Sequence, residues 1–171
     1  MLLRAFQRQV KFQCECVLIA AQEIDAALTG HDNQGVFCAL QALLGAAANT
    51  SKALWGVRKT KKAFAARAFL RASLQVSDNS PLHPRDMRNH YDHFDERLDK
   101  WWATSKRHNL VDMNIMNRAA IRGIDDIDRF RAFDPQTGDA TFAGDDFNIK
   151  AIVDEVKRIL PLATQEANKP H

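Results

Sequence analysis

The residues best equipped for chemistry stand together in Arg88-Asn89-His90-Tyr91-Asp92-His93. A histidine titrates near neutrality and can take or return a proton. An arginine offers a planar fork of donors that fits a phosphate, and an asparagine can orient either partner. On an ideal helix each residue advances about 100°, so Asp86, His90, His93 and Arg97 share one narrow stripe, with Asn89 beside His93. Arg88 precedes His93 by five positions and so lies about 140° away around the same helix. One regular helix cannot aim both at a single atom: either its first turn is irregular or two copies of the chain combine. Asp86, His90 and His93 also share a face as metal ligands would, but no second ligand cluster accompanies them. Neither a metal nor any other cofactor is expected.

A second chemical signal is electrostatic. Arg58, Lys59, Lys61, Lys62, Arg67 and Arg71 follow one another without an intervening acid, whereas Asp86, Asp92, Asp95, Glu96 and Asp99 crowd the next helical segment. The acid-free stretch is a candidate track for a polyanionic backbone, with binding that weakens as salt rises. The same charges also suit a solvated face, or pairing with the acidic segment. A formal net charge of +3 is too mild to announce a nucleic-acid binder by itself.

The elements that must position these residues are mostly helical. Leu3, Phe6, Val10, Val17, Ile24 and Leu28 recur at helical spacings and predict a first helix over residues 2 to 29, closing at Thr29-Gly30. After turn and cap chemistry at His31-Asp32-Asn33, the residues Phe37, Leu40, Leu44, Ala47 and Leu54 predict a second, ending near Trp55-Gly56. A third is expected from Lys59 to Val76, broken by Ser77-Asp78-Asn79-Ser80-Pro81. His83-Pro84 then opens a fourth, whose stripe of Met87, Tyr91, Phe94, Leu98 and Trp101 must be buried against the other three. Four long helices with short connections predict an antiparallel bundle.

Beyond about residue 106 the periodicity fades into an expected long loop. Arg129–Phe133 and Ala140–Ala143 flank a Pro and Gly turn and predict a short β-hairpin. A last helix follows, capped by Asp145 or Asp146, lined by Ile149, Ile152, Val153, Val156 and Ile159, and ended by Pro161. With 171 residues, 46% of them hydrophobic, the chain can bury one sizeable core. Its apolar runs are too short and too closely bracketed by acids for a membrane span or an export signal. Cys14, Cys16 and Cys38 cannot all pair, and free thiols in a reducing cytoplasm fit them best. Trp55, Trp101 and Trp102 read as core or interface residues rather than platforms for stacked bases.

The order arginine, polar residue, three residues, histidine resembles the motif of the HEPN superfamily, small helical-bundle proteins that include many metal-independent endoribonuclease toxins and antiphage effectors. The resemblance covers about residues 1 to 105, and Arg88, Asn89 and His93 stand where its motif residues would. It implies a homodimer in which two copies form one composite RNA-cleaving cleft, which would reconcile the 140° separation. It further implies cleavage by attack of a 2′-hydroxyl on the neighbouring phosphate, leaving a cyclic phosphate end. His93 would move the proton, Arg88 would neutralise the transition state, Asn89 would orient the histidine or the phosphate, and His90 would be a second proton carrier. The basic residues from Arg58 to Arg71 would hold the RNA, and an antitoxin would neutralise a toxin of this kind. The chain is accordingly expected to form one HEPN-like domain over residues 1 to 162 with a C-terminal hairpin and helix appended, then a flexible tail over 163 to 171. The alternative is a non-catalytic dimeric module that binds a nucleotide, nucleic acid or protein.

Overall fold

Every third or fourth residue of the first segment is apolar or small, and a computed structural model, which describes residues 1–56, 61–84, 86–117, 120 and 122–170, winds it into α1, Leu2–Thr29. Val10, Cys14, Val17, Ala20 and Ile24 form its buried stripe. Asp32 accepts a hydrogen bond from the Gly35 amide at 2.9 Å and so starts α2, Asn33–Trp55. Apolar residues lie on most sides of α2, which makes it the central helix of the fold. α1 packs along both α2 and the C-terminal helix.

The third and fourth expected helices each come in two pieces, so the helices of twenty residues or more among the described residues are the first, second and last. The third is divided into α3, Lys61–Ala65, and α4, Ala68–Ser73. The fourth is divided into α5, Asp86–Asp92, and α6, Phe94–Thr104, with the break at His93. Its apolar stripe is buried as expected at Tyr91 and Trp101, but much of what covers it is sheet rather than helix. Tyr91 and Phe94 meet the Phe142 ring edge-on at centroid separations of 5.3 and 6.4 Å, and Phe94 meets Phe130 at 5.4 Å.

That sheet has four strands in the order β1, Asn114–Ile115; β2, Arg131–Asp134; β3, Asp139–Phe142; and β4, Asp145–Asn148. β1 runs parallel to β2 and the remaining pairs are antiparallel. β2 and β3 are the expected hairpin. The outer two strands were hidden in the sequence, one because it is only two residues long, the other because its Asp145 and Asp146 resemble helix caps. Residues on a strand alternate between faces. Phe133, Ala140 and Phe142 therefore enter the core, while Asp134, Asp139, Thr141 and Asp146 share the opposite face.

The cap of the last helix, α7, Ile149–Asn168, is instead Asn148, whose side chain accepts from the Ala151 amide at 2.7 Å. α7 continues through Pro161, contrary to the expected stop. A proline inside a helix costs about 3 kcal/mol, and here burial of Ala163 and Ala167 beyond it opposes that cost. The expected tail from residue 163 is thus helical through Asn168. The three cysteines are all free thiols. Among the described residues no helix is long and apolar enough to cross a membrane.

Candidate functional site

The Arg88–His93 segment lies at the junction of α5 and α6. His93 leaves helical geometry at φ −112° and ψ 42°, yet its amide still donates to Asn89 O at 3.1 Å and its carbonyl accepts from the Arg97 amide at 3.0 Å. The backbone ladder therefore crosses the junction while the side chain at the break is turned outward. The His93 side chain is 52% exposed, and its Nδ1 lies 3.1 Å from Oε1 of Glu96. A carboxylate at Nδ1 favours the tautomer with the proton on that nitrogen, leaving Nε2 as an open acceptor.

Arg88 is held by Asp92, its Nη2 lying 2.7 Å from Oδ2. Asn89 is half-buried. Among the described residues no hydrogen bond joins Arg88 to His93. Within one chain Arg88 is thus paired with Asp92 and His93 with Glu96 rather than with each other.

His90 is built in more deeply. Its ring stacks on Phe142, with centroids 5.1 Å apart and planes 14° from parallel. Arg97 Nε donates to its Nδ1 at 3.1 Å, and its Nε2 lies 3.2 Å from Oδ2 of Asp145. Nδ1 must therefore carry the lone pair and Nε2 the proton. Burial first and Arg97 second hold its pKa below the ordinary histidine value, against the opposing pull of Asp145 and Asp86. Both ring nitrogens of His90 are thus engaged. It lines a cleft of about 230 Å³ together with Arg97, Lys100, Trp101, Ile127, Ala143 and Asp145.

The basic track divides along its length. Arg58, Lys59 and the side chain of Lys61 lie outside the described residues. Lys62 is exposed. The Arg67 guanidinium lies 3.9 Å from the centre of the Phe6 ring. Arg71 is only 6% exposed and donates to the carbonyls of Leu54 and Phe64 at 2.9 and 3.1 Å, with Asp78 at 3.0 Å. Its inward donors tie α4 to the end of α2 and to α3.

A larger cleft of about 670 Å³ opens on the polar face of the sheet, where Asp134, Asp139, Thr141 and Asp146 meet Arg122 and Arg129. Sequence reading missed it. Strand alternation could have placed these side chains on one face only once the register was known. Among the described residues no three His, Cys, Asp or Glu side chains are placed to hold one metal ion. Comparison of the chain with protein-family models, with curated proteins and with solved structures finds no match in any of the three.

Proposed function

We propose that this chain is a metal-independent endoribonuclease of the HEPN kind, with two copies meeting about a two-fold axis near the α5/α6 junction. In this reading the helices are a variant of the antiparallel four-helix bundle, with the third and fourth each interrupted. The observation that carries it is the outward-turned imidazole of His93, held at Nδ1 by Glu96 and open at Nε2. Such a ring suits general base chemistry. His93 Nε2 takes the proton from a ribose 2′-hydroxyl, the 2′-oxygen attacks the adjacent phosphorus, and the bond from phosphorus to the 5′-oxygen breaks. The leaving oxygen receives its proton from the His93 of the second copy, which enters the step as the imidazolium with a proton on Nε2, so the two rings exchange protonation states and a 2′,3′-cyclic phosphate remains. Arg88 spends Nη2 on Asp92, which leaves its other donors for the charge that builds on the phosphoryl oxygens. Cytoplasmic action as a toxin or antiphage effector, restrained by an antitoxin, is the setting such an activity implies.

The test is incubation of a mixed RNA with the protein, His93→Ala and Arg88→Ala in EDTA. Fragments with cyclic phosphate ends, made by the unmodified protein alone, are expected. Absence of cleavage by a folded, dimeric sample would overturn the reading in favour of a binding module. That second reading draws on the larger cleft, whose volume lies in the range of small-molecule sites of about 300–1,000 Å³.

A further inference from the structure

The cleft beside His90 has the make-up of an anion site. Arg97 and Lys100 stand one turn apart on α6 and both line it. Arg97 spends Nε on His90, which leaves its two terminal nitrogens for another acceptor. The Lys100 ammonium makes no ion pair among the described residues. Trp101, Ile127 and Ala143 supply an apolar wall, and charges beside such a wall interact more strongly than they do in open water.

An anion already sits there. Asp145 reaches His90 Nε2 at 3.2 Å although its own side chain is 74% exposed. It follows the tight turn at Ala143 and Gly144, which take φ values of 48° and 91°. Its partner is the N–H of a neutral imidazole rather than a fixed charge, and most of its own side chain stands in solvent, so this carboxylate is a replaceable occupant. A phosphate group would bring charge and several acceptors to a guanidinium, an ammonium and an imidazole N–H at once. At about 230 Å³ the cleft is small for a whole nucleotide but has room for a phosphate. His90 precedes His93 by three residues, about 4.5 Å along a helix axis, so an anion held here lies close to the motif.

We infer that this cleft is a phosphate subsite, in which Arg97, Lys100 and the His90 N–H grip an RNA phosphodiester neighbouring the one cleaved and displace Asp145. The inference rests on the ribonuclease reading above. It is tested by binding rather than turnover, using a 2′-O-methyl oligoribonucleotide that has no 2′-hydroxyl to attack. Anisotropy titrations in EDTA over a range of salt compare the unmodified protein with Lys100→Ala, Arg97→Gln and Asp145→Asn. Lys100 is exposed, so its replacement leaves the fold intact.

Lys100→Ala and Arg97→Gln should each weaken binding about tenfold, the loss of one charge-assisted contact. Each should also lower the slope of log affinity against log salt by about 0.7, the share of one phosphate on a single strand. Asp145→Asn should bind more tightly. Unchanged affinity and slope for both cation variants, or no oligonucleotide binding at all, would overturn the subsite. Inorganic phosphate competing as well as the oligonucleotide would overturn it too, by revealing a free-phosphate site. Weakened binding by the cation variants, with no cleavage of the mixed RNA by any sample, keeps the anion site and removes the ribonuclease reading. Cleavage of the mixed RNA together with unchanged binding by both cation variants does the reverse.

Discussion

The indole N–H of Trp101 donates to Oδ1 of Asp128 at 2.9 Å, inside the core, where Asp128 has no exposure. Ser105 Oγ donates to the same oxygen at 2.6 Å. One carboxylate oxygen thus ties the end of α6, whose start carries the candidate site, to the 3-10 turn Asp126–Asp128 between β1 and β2. Its other oxygen, Oδ2, has no hydrogen-bond partner among the described residues.

Replacement of Asp128 by alanine strands two donors in the core. A loss of about 3 kcal/mol is expected, since hydrogen bonds to charged groups and orphaned buried donors each carry a few kcal/mol. Asp128→Asn keeps an acceptor for both donors and should lose less. Urea unfolding of the two variants checks the order; an alanine variant as stable as the parent would show that the tie is unimportant.

In the proposed mechanism Glu96 is a positioning residue for His93, holding the imidazole at Nδ1 without touching the reacting atoms. The pair is exposed, so Glu96→Gln should change stability by less than about 1 kcal/mol. Cleavage should nonetheless slow, chiefly in kcat rather than KM, with partial rescue by Glu96→Asp. The loss should stay below that of His93→Ala, which removes about 10²–10⁴-fold as a general base does. Equal kcat for Glu96→Gln and the parent would dismiss the pair.

Gly138 ends the β2–β3 turn at φ +76°, and its carbonyl accepts from the Ile149 amide at 2.8 Å. A Cβ added there would stand 2.9 Å from Cβ of Lys150 at the start of α7. Gly138→Ala should therefore cost about 1–2 kcal/mol from the left-handed backbone alone, and more from the contact. The denaturation midpoint reads this directly, with Gly123→Ala as a comparison. Gly123 has the same φ but nothing among the described residues within 4 Å of an added Cβ, so its loss should be the smaller.

The hairpin, the two long N-terminal helices and the buried stripe of the last were legible because each is written in local spacing. Val10, Val17 and Ile24 repeat every seven residues, and Phe133 and Phe142 bracket a turn rich in Pro and Gly. Two kinds of feature were not legible. Helix continuity at His93 and Pro161 is decided by tertiary burial, which supports a helix through the proline and accompanies a break where the periodicity runs on. Partners distant in sequence, such as Asp145 for His90 or Asp128 for Trp101, leave no spacing to read. Glu96 could have been found, since positions three apart share a helix face, but the motif drew attention to the residues preceding His93.

Acid should weaken the fold through His90. Its pKa is depressed in the native chain by burial and by Arg97, while Asp145 and Asp86 pull the other way. In the unfolded chain it returns to about 6.5. Between those two values the unfolded state holds more protons than the native one, so stability rises with pH there. The contribution is complete above about 6.5 and is lost as pH falls toward the native pKa. Glu155 adds a second, lower window. Arg158 and Ser80 hold its pKa below the ordinary glutamate value, so its contribution is present above the unfolded glutamate pKa of about 4.3 and fades below it. Urea midpoints measured from pH 8 to pH 3 should fall in two stages, and His90→Gln should flatten the upper one alone. An unaltered upper stage in that variant would assign it to another group.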